Sequence, residues 1–306
     1  MGYARLPRFK RTASVPPIQL TERDHTIIRL IYRNRFLRSS HIIALVGGSA
    51  QQLLRRLQLL YHHGFLERPW AQLEYYRQGG SRQMVYGLGN KGGALLKQEL
   101  GGALRKLSWG EKNRPIGRIF FEHALLVSDV MVALELGCRK ESGVQLLLGD
   151  DLRLPVGARH PHQLKWSVKV NGRLKLGIIP DRVFALDMRE TDGSSSRAFF
   201  FLEVDRGTMP IVRKNFSQSS FYRKLLAYEA TWATGLHRSQ FGFHRFRVLT
   251  VTTSAARVNS LLDACTQLNS GHGLFLFCDQ ATFKKHGDIF TVPWKTGKGE
   301  IATLLP

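Results

Sequence analysis

The apolar positions of the chain change period as it proceeds. Between Thr21 and Gly64 they recur at helical spacing. Ile27, Ile28, Leu30 and Ile31 share one face of a predicted helix that opens at Thr21, with acidic Glu22 and Asp24 in its first turn. A second, short helix carries Ile42, Ile43, Leu45 and Val46, with Ser39 or Ser40 as its cap and Gly47-Gly48 as its stop. Ser49 caps a third, whose apolar face is Leu53, Leu54, Leu57 and Leu60 and which ends at Gly64. The pattern then shortens: FLERPW and RQMVYGLGN read as two strands joined by the long, basic AQLEYYRQGGSR. A further helix lies within NKGGALLKQELGGALRK.

From Ile119 the pattern changes again. IFFEHALLVSDVMVALELGC is apolar almost all round, which predicts a buried helix. Strands follow in VQLLLGDDLRL, LKWSVKV, RLKLGIIPDRVFAL and FFFLEV. SQSSFYRKLLAYEATWATG is a helix with Phe221, Leu225, Tyr228 and Trp232 in register, and strand FRVLTVTT, helix SAARVNSLLDACTQL and strand GLFLFC complete the order. Helix, strands, helix, strand, helix, strand predicts a mixed sheet flanked by helices, an α/β (α+β) fold, with no internal repeat.

Three short helices followed by a hairpin with a long basic tip predict a winged helix-turn-helix. The expected organisation is a basic N-terminal arm over 1–20, a winged helix over 21–100, a linker over 101–117 and a second domain over 118–306. On the third helix Gln51, Gln52, Arg55 and Arg56 fall away from the leucine face, and side chains of these types suit base edges and phosphates in a major groove. Arg77 and Arg82 on the hairpin tip are expected to reach a DNA backbone or minor groove.

Charge sharpens that expectation. The 306 residues hold 45 Lys and Arg against 23 Asp and Glu, a formal +22. Through Arg118 there are 21 basic and 6 acidic residues, a net +15, which leaves +7 for the remainder. Such an excess favours a polyanionic partner, and with this organisation that partner is expected to be double-stranded DNA. Cys138, Cys265 and Cys278 form no CxxC pair, which argues against a zinc site or a disulfide framework. No window approaches the ~18 apolar residues of a membrane span, and the start lacks the apolar core of a signal peptide. A cytoplasmic protein without membrane insertion is expected.

The candidate chemistry lies in the second domain. Asp181 follows Pro180 in an apolar run, and Glu203 closes the next strand, close enough in sequence for a hairpin to set the two side by side. Glu203 and Asp205 are two apart on a strand and so project to one face, where their repulsion calls for a cation. The Asp181–Glu203 pair, with helix, strands and second helix in this order, resembles the PD-(D/E)XK nuclease core. That resemblance implies that Asp181 and Glu203 hold Mg²⁺ or Mn²⁺ and that a lysine positions or activates the attacking water. The usual lysine position, two residues after Glu203, is Asp205, expected here to assist as ligand or base. Lys224 in the following helix is the expected relocated lysine, with Lys214 the second choice.

Other polar groups carry weaker patterns. Glu122 and His123 could add ligands from the first helix, although a helix Glu is more often a paired charge. His160 and His162 flank Pro161 and read as a loop, Asp150-Asp151 as a solvated turn, and Tyr222 and Tyr228 as core residues. The basic winged helix ahead of PDRVFAL, FLEVDRGT and KLLAYEATW resembles the replication-relaxation family of plasmids and mobile elements, which includes relaxases of the MobC type, from about Leu20 to Cys278. Membership implies action at a transfer or replication origin as a metal-dependent relaxase or nickase, alongside relaxosome or conjugation proteins. The alternative is a catalytically inactive nuclease fold serving as a DNA-binding accessory factor or transcription regulator. A packing protein of the chromatin type is disfavoured, because repeated basic tracts are missing.

Overall fold

The computed structural model describes residues 6–12, 14–74, 83–101, 108–152, 154, 164–170, 172, 174–189, 193–213 and 218–305. The chain is mixed α/β and divides into two compact units, Met1–Val132 and Ala133–Pro306. No helix among the described residues is long and apolar enough to cross a membrane.

Unit one contains α1 (Glu22–Asn34), β1 (Phe36–Arg38), α2 (Ser39–Val46), α3 (Ala50–His62), β2 (Leu66–Glu67), β3 (Val85–Leu88), α4 (Asn90–Glu99), α5 (Trp109–Asn113) and the start of α6 (Arg118–Lys140). Helix α1 begins where the Asp24 carboxylate reaches back to accept from the Thr21 N–H at 2.7 Å and the Thr21 hydroxyl at 2.8 Å. Ser49 caps α3 by accepting from the Gln52 N–H. Ile27, Ile28, Ile31, Leu53, Leu57 and Leu60 are buried as the pattern requires. Leu54 is not: it is 44% exposed, while Tyr61, two turns later on the same stripe, is buried. The stripe of α3 through Leu54 therefore faces solvent at its start and meets the core only at Tyr61, while Leu53 and Leu57 anchor the same turns from the neighbouring stripe.

Strand β1 was not expected. Its three residues lie among Arg33, Arg35 and Arg38, too few to show a period, yet they pair antiparallel with β3 and complete a sheet of order β1-β3-β2. The expected linker over 101–117 contains α5, whose buried Asn113 donates to the Leu88 carbonyl at 3.0 Å, while the Gly110 N–H donates to Asn90 at 2.7 Å. Helix α6 is buried over much of its length, but Ile119 is 70% exposed and Phe120 42%, so its first turn departs from the all-round burial its composition predicts.

Unit two holds the rest of α6, then β4 (Val144–Leu148), β5 (Trp166–Val170), β6 (Leu174–Ile178), β7 (Arg182–Arg189), β8 (Ser195–Val204), α7 (Phe221–Ala233), α8 (Leu236–Phe241), β9 (Phe246–Thr252), α9 (Ala255–Cys265), β10 (Phe275–Asp279), α10 (Gln280–Lys285), β11 (Trp294–Thr296) and β12 (Ile301–Ala302). Seven strands form one sheet in the order β12-β11-β10-β9-β8-β7-β4. Strands β8, β9 and β10 run parallel, and β7 lies antiparallel to β8. β8 sits centrally and is apolar on both faces, as a doubly covered strand should be. Phe201 joins the core made with Tyr228 and Leu225 of α7 and Leu261 of α9, while Phe200 stacks on Phe184 of β7 with centroids 4.9 Å apart.

Two expectations need correction. RLKLGIIPDRVFAL is not one strand: it splits at Ile179-Pro180 into β6, which among the described residues pairs with β5 alone in a separate hairpin, and β7 in the large sheet. Proline has no N–H to give a ladder, so the break falls where it stands. The sheet also continues past β10, with a C-terminal hairpin of β11 and β12 whose Trp294 is fully buried.

Candidate functional site

The register of β7 against β8 decides which carboxylates meet. Arg182 pairs with Leu202, so Asp181, immediately before β7, arrives beside the end of β8. Its backbone N–H donates to the Leu202 carbonyl at 3.0 Å, and its Oδ2 accepts from the Val204 N–H at 2.7 Å. Glu203 lies between those two contacts, 1% exposed.

Helix α7 supplies the partners of Glu203. Ser220 caps it by accepting from the Arg223 N–H, and Lys224 and Tyr228, one turn apart, share the face turned to the sheet. Lys224 Nζ donates to Glu203 Oε2 at 2.5 Å, and the Tyr228 hydroxyl donates to Glu203 Oε1 at 2.7 Å. Burial pushes the Glu203 carboxyl above the usual carboxylate range and the nearby Asp181 charge adds to this, with Lys224 pulling the other way. Burial opposes the charge on Lys224, but Glu203 first and Asp181 next outweigh it, so the ammonium holds its proton more tightly than a free lysine. Tyr228, buried and facing Glu203, is pushed well above the normal phenol range. It is therefore a neutral donor and a core residue, as its spacing predicts.

Asp205 has a separate environment. Arg257 of α9 donates to both of its oxygens, the Thr252 hydroxyl donates to Oδ2 at 2.6 Å, and the Gly207 N–H donates to Oδ1 at 3.1 Å. Gly207 reaches that position with φ +72°, a conformation that favours glycine. These bonds engage both oxygens of a carboxylate that is 5% exposed, an arrangement suited to holding α9 against β8 rather than to binding a further cation. Glu203 and Asp205 do share a face, and each meets its own side-chain cation, Lys224 or Arg257. Sequence order pointed to Lys224 through its place in the next helix. Nothing in the local pattern pointed to Arg257.

The donor set can be compared with what Mg²⁺ requires. Asp181 and Glu203 supply hard carboxylate oxygens at adjoining strand ends. Thr250, opposite Glu203 in the β8–β9 register, has a buried hydroxyl with no hydrogen-bond partner among the described residues. Mg²⁺ commonly takes one or two carboxylates and completes its shell with water and phosphate oxygens, so these residues fit it in kind. No cluster of three or more His, Cys, Asp or Glu suited to a metal occurs among the described residues. Glu122 pairs with Arg118 at 2.7 Å, the bland reading of a helix glutamate.

In unit one, Gln51, Gln52 and Arg55 are exposed on the face of α3 opposite its buried leucines. Arg56 is otherwise engaged. Its guanidinium donates to both oxygens of Asp24, at 2.7 and 2.5 Å, and to the Gln19 carbonyl at 2.5 Å. Burial alone would raise the Asp24 carboxyl, but Arg56 and Thr21 outweigh it and hold it below its ordinary value. Arg77, Arg82, Lys214, His160 and His162 lie outside the described residues.

The family model described as replication-relaxation matches residues 28–245, a span that runs from α1 to the loop before β9. No curated protein and no solved structure matches the chain.

Proposed function

This chain belongs to the replication-relaxation family, and from that premise we propose that it acts on double-stranded DNA of a plasmid or mobile element, at a transfer or replication origin, as a metal-dependent nickase or relaxase. Unit one is read as a winged helix: α2 and α3 form the helix-turn-helix, and β2 and β3 flank the wing. Gln51, Gln52 and Arg55 on the exposed face of α3 would read the major groove. Unit two is read as a nuclease core of the PD-(D/E)XK kind, with relaxosome or conjugation proteins as partners.

The observation that carries the reading is Lys224 Nζ at 2.5 Å from Glu203. The resemblance calls for a lysine at the carboxylates, the sequence puts Asp205 at its usual place, and α7 brings one from 21 residues further on. Asp181 and Glu203 would hold Mg²⁺ or Mn²⁺, which when bound supplies Lewis-acid stabilisation of a phosphodiester. Lys224, partly exposed beside them, would set its ammonium against a non-bridging phosphate oxygen, where preorganised charge stabilises the transition state. Tyr228 would orient Glu203 by holding its other oxygen.

One observation favours a second reading: both Glu203 oxygens already accept hydrogen bonds from the protein, as in a site that has become structural. The chain would then be a DNA-binding accessory factor or regulator. Incubating supercoiled DNA that carries the element's own origin with protein and Mg²⁺ or Mn²⁺ separates the two. Open-circular product that disappears in Asp181→Ala supports the enzyme. Binding to the origin without nicking under either metal supports the accessory factor.

A further inference from the structure

A cleft of about 920 Å³ opens in unit two at the starts of β8 and β9. The carboxylates stand at the other end of the same strands: Arg197 and Glu203 are six residues apart on β8, about 20 Å at strand rise. Among the residues lining the cleft are Arg197, Arg238, Arg245 and Arg247, and no Asp or Glu. The sequence anticipates this, since no acidic residue occurs between Glu229 and Asp263. Arg238, Arg245 and Arg247 are exposed and have no acidic partner among the described residues. Arg197 pairs with Asp187 at 3.0 Å, both partly exposed, an arrangement worth little in water and easily exchanged. The apolar lining is mixed, with Leu274, Leu304 and Leu305 among it; Phe246 is buried beneath it, and half-buried Trp232 stacks on His237 with centroids 4.8 Å apart.

We propose that this cleft binds a single strand of nucleic acid, with phosphates on Arg238, Arg245 and Arg247 and a base against Trp232. Guanidinium groups match phosphate oxygens in pairs, and the half-exposed indole of Trp232 in a concave apolar setting suits a base whose face is free, which a duplex keeps within its own stack. The volume is that of a small-molecule site, room for a nucleotide or two of a passing strand and too little for a duplex. Like the function proposed above, this needs DNA as partner, but it needs neither the metal nor Lys224.

The test is fluorescence anisotropy of a labelled short oligothymidylate with the full chain in EDTA, over a range of salt. Its outcome is independent of whether origin DNA is nicked. Replacing Arg238, Arg245 and Arg247 together by Ala should weaken binding by at least about 30-fold and lower the log–log salt slope by roughly 2, since each single-strand phosphate contact contributes about 0.7. Replacing the same three by Lys should keep most of the slope. The proposal is overturned by an Ala variant that binds as wild type, by a Lys variant as impaired as the Ala variant, or by thymidine monophosphate competing as well as the oligonucleotide. Thermal unfolding of each variant, expected to match wild type because the three side chains are exposed, confirms that the fold is intact.

Discussion

Glu203 and Asp205 are two buried carboxylates two residues apart, and each meets its own cation. That arrangement decides the effect of one substitution. Asp205→Lys would restore the lysine spacing of the nuclease pattern, but it would set an ammonium against the Arg257 guanidinium in a site with little water. The variant should be destabilised by about 3 kcal/mol or more, the cost of leaving a buried charge unpaired, and should recover no nicking in a Lys224→Met background; denaturant unfolding and the plasmid assay read the two outcomes. Lys224→Met should cost less in stability, about 1 to 2 kcal/mol, because the ammonium is a third exposed and solvent screens it. The carboxylate pair was legible, because strand period alone puts positions 203 and 205 on one face. Their partners were not equally so: Lys224 is 21 residues away and Arg257 is 52, and only helix packing on the sheet brings them in.

At the scale of elements, α3 leaves Arg55 exposed and ties its neighbour Arg56 to Asp24. Periodicity placed Arg55 and Arg56 together on the solvent face, and this much was readable from the leucines. It could not show that the carboxylate capping α1 would turn toward α3 and hold Arg56. Arg55→Ala should therefore weaken duplex binding with little change in stability, whereas Arg56→Ala should lower the free energy of unfolding, read by denaturant titration, by about 1 to 3 kcal/mol by leaving buried Asp24 without its cation. The pH dependence follows from the direction of the Asp24 shift. Its folded value lies below its ordinary 3.8, so its contribution is present above that value and is lost as pH falls through the lower folded one. Asp24→Asn should flatten the acid limb of a stability–pH curve below about pH 4, and a limb as steep as that of wild type would rule the ion pair out as its source. The short strands show the complementary limit: β1, β11 and β12 have two or three residues each, fewer than a period needs, and exist because longer neighbours pair with them.

For the whole molecule, charge and chemistry are unevenly shared. Residues 1–118 carry +15 of the +22, while Asp181, Glu203 and Lys224 belong to the other compact unit. If recognition resides in the first and cleavage in the second, variants should separate kinetically. Gln51→Ala with Arg55→Ala should raise the DNA concentration needed for half-maximal nicking while leaving the rate at saturation near wild type, the signature of lost uniform binding. Lys224→Met should do the reverse, with duplex affinity in EDTA preserved and the saturated rate reduced about 100-fold or more, as removal of one preorganised charge at a phosphoryl centre would be expected to do. Salt provides the check on both. Duplex affinity should fall steeply as salt rises for wild type and for Lys224→Met alike, because counterions are released wherever Lys and Arg meet phosphate, and it should fall less steeply once Arg55 is gone. If Lys224→Met lowered duplex affinity as much as the Gln51 and Arg55 variant, the two tasks would share one surface, and the assignment of recognition to α3 would fail.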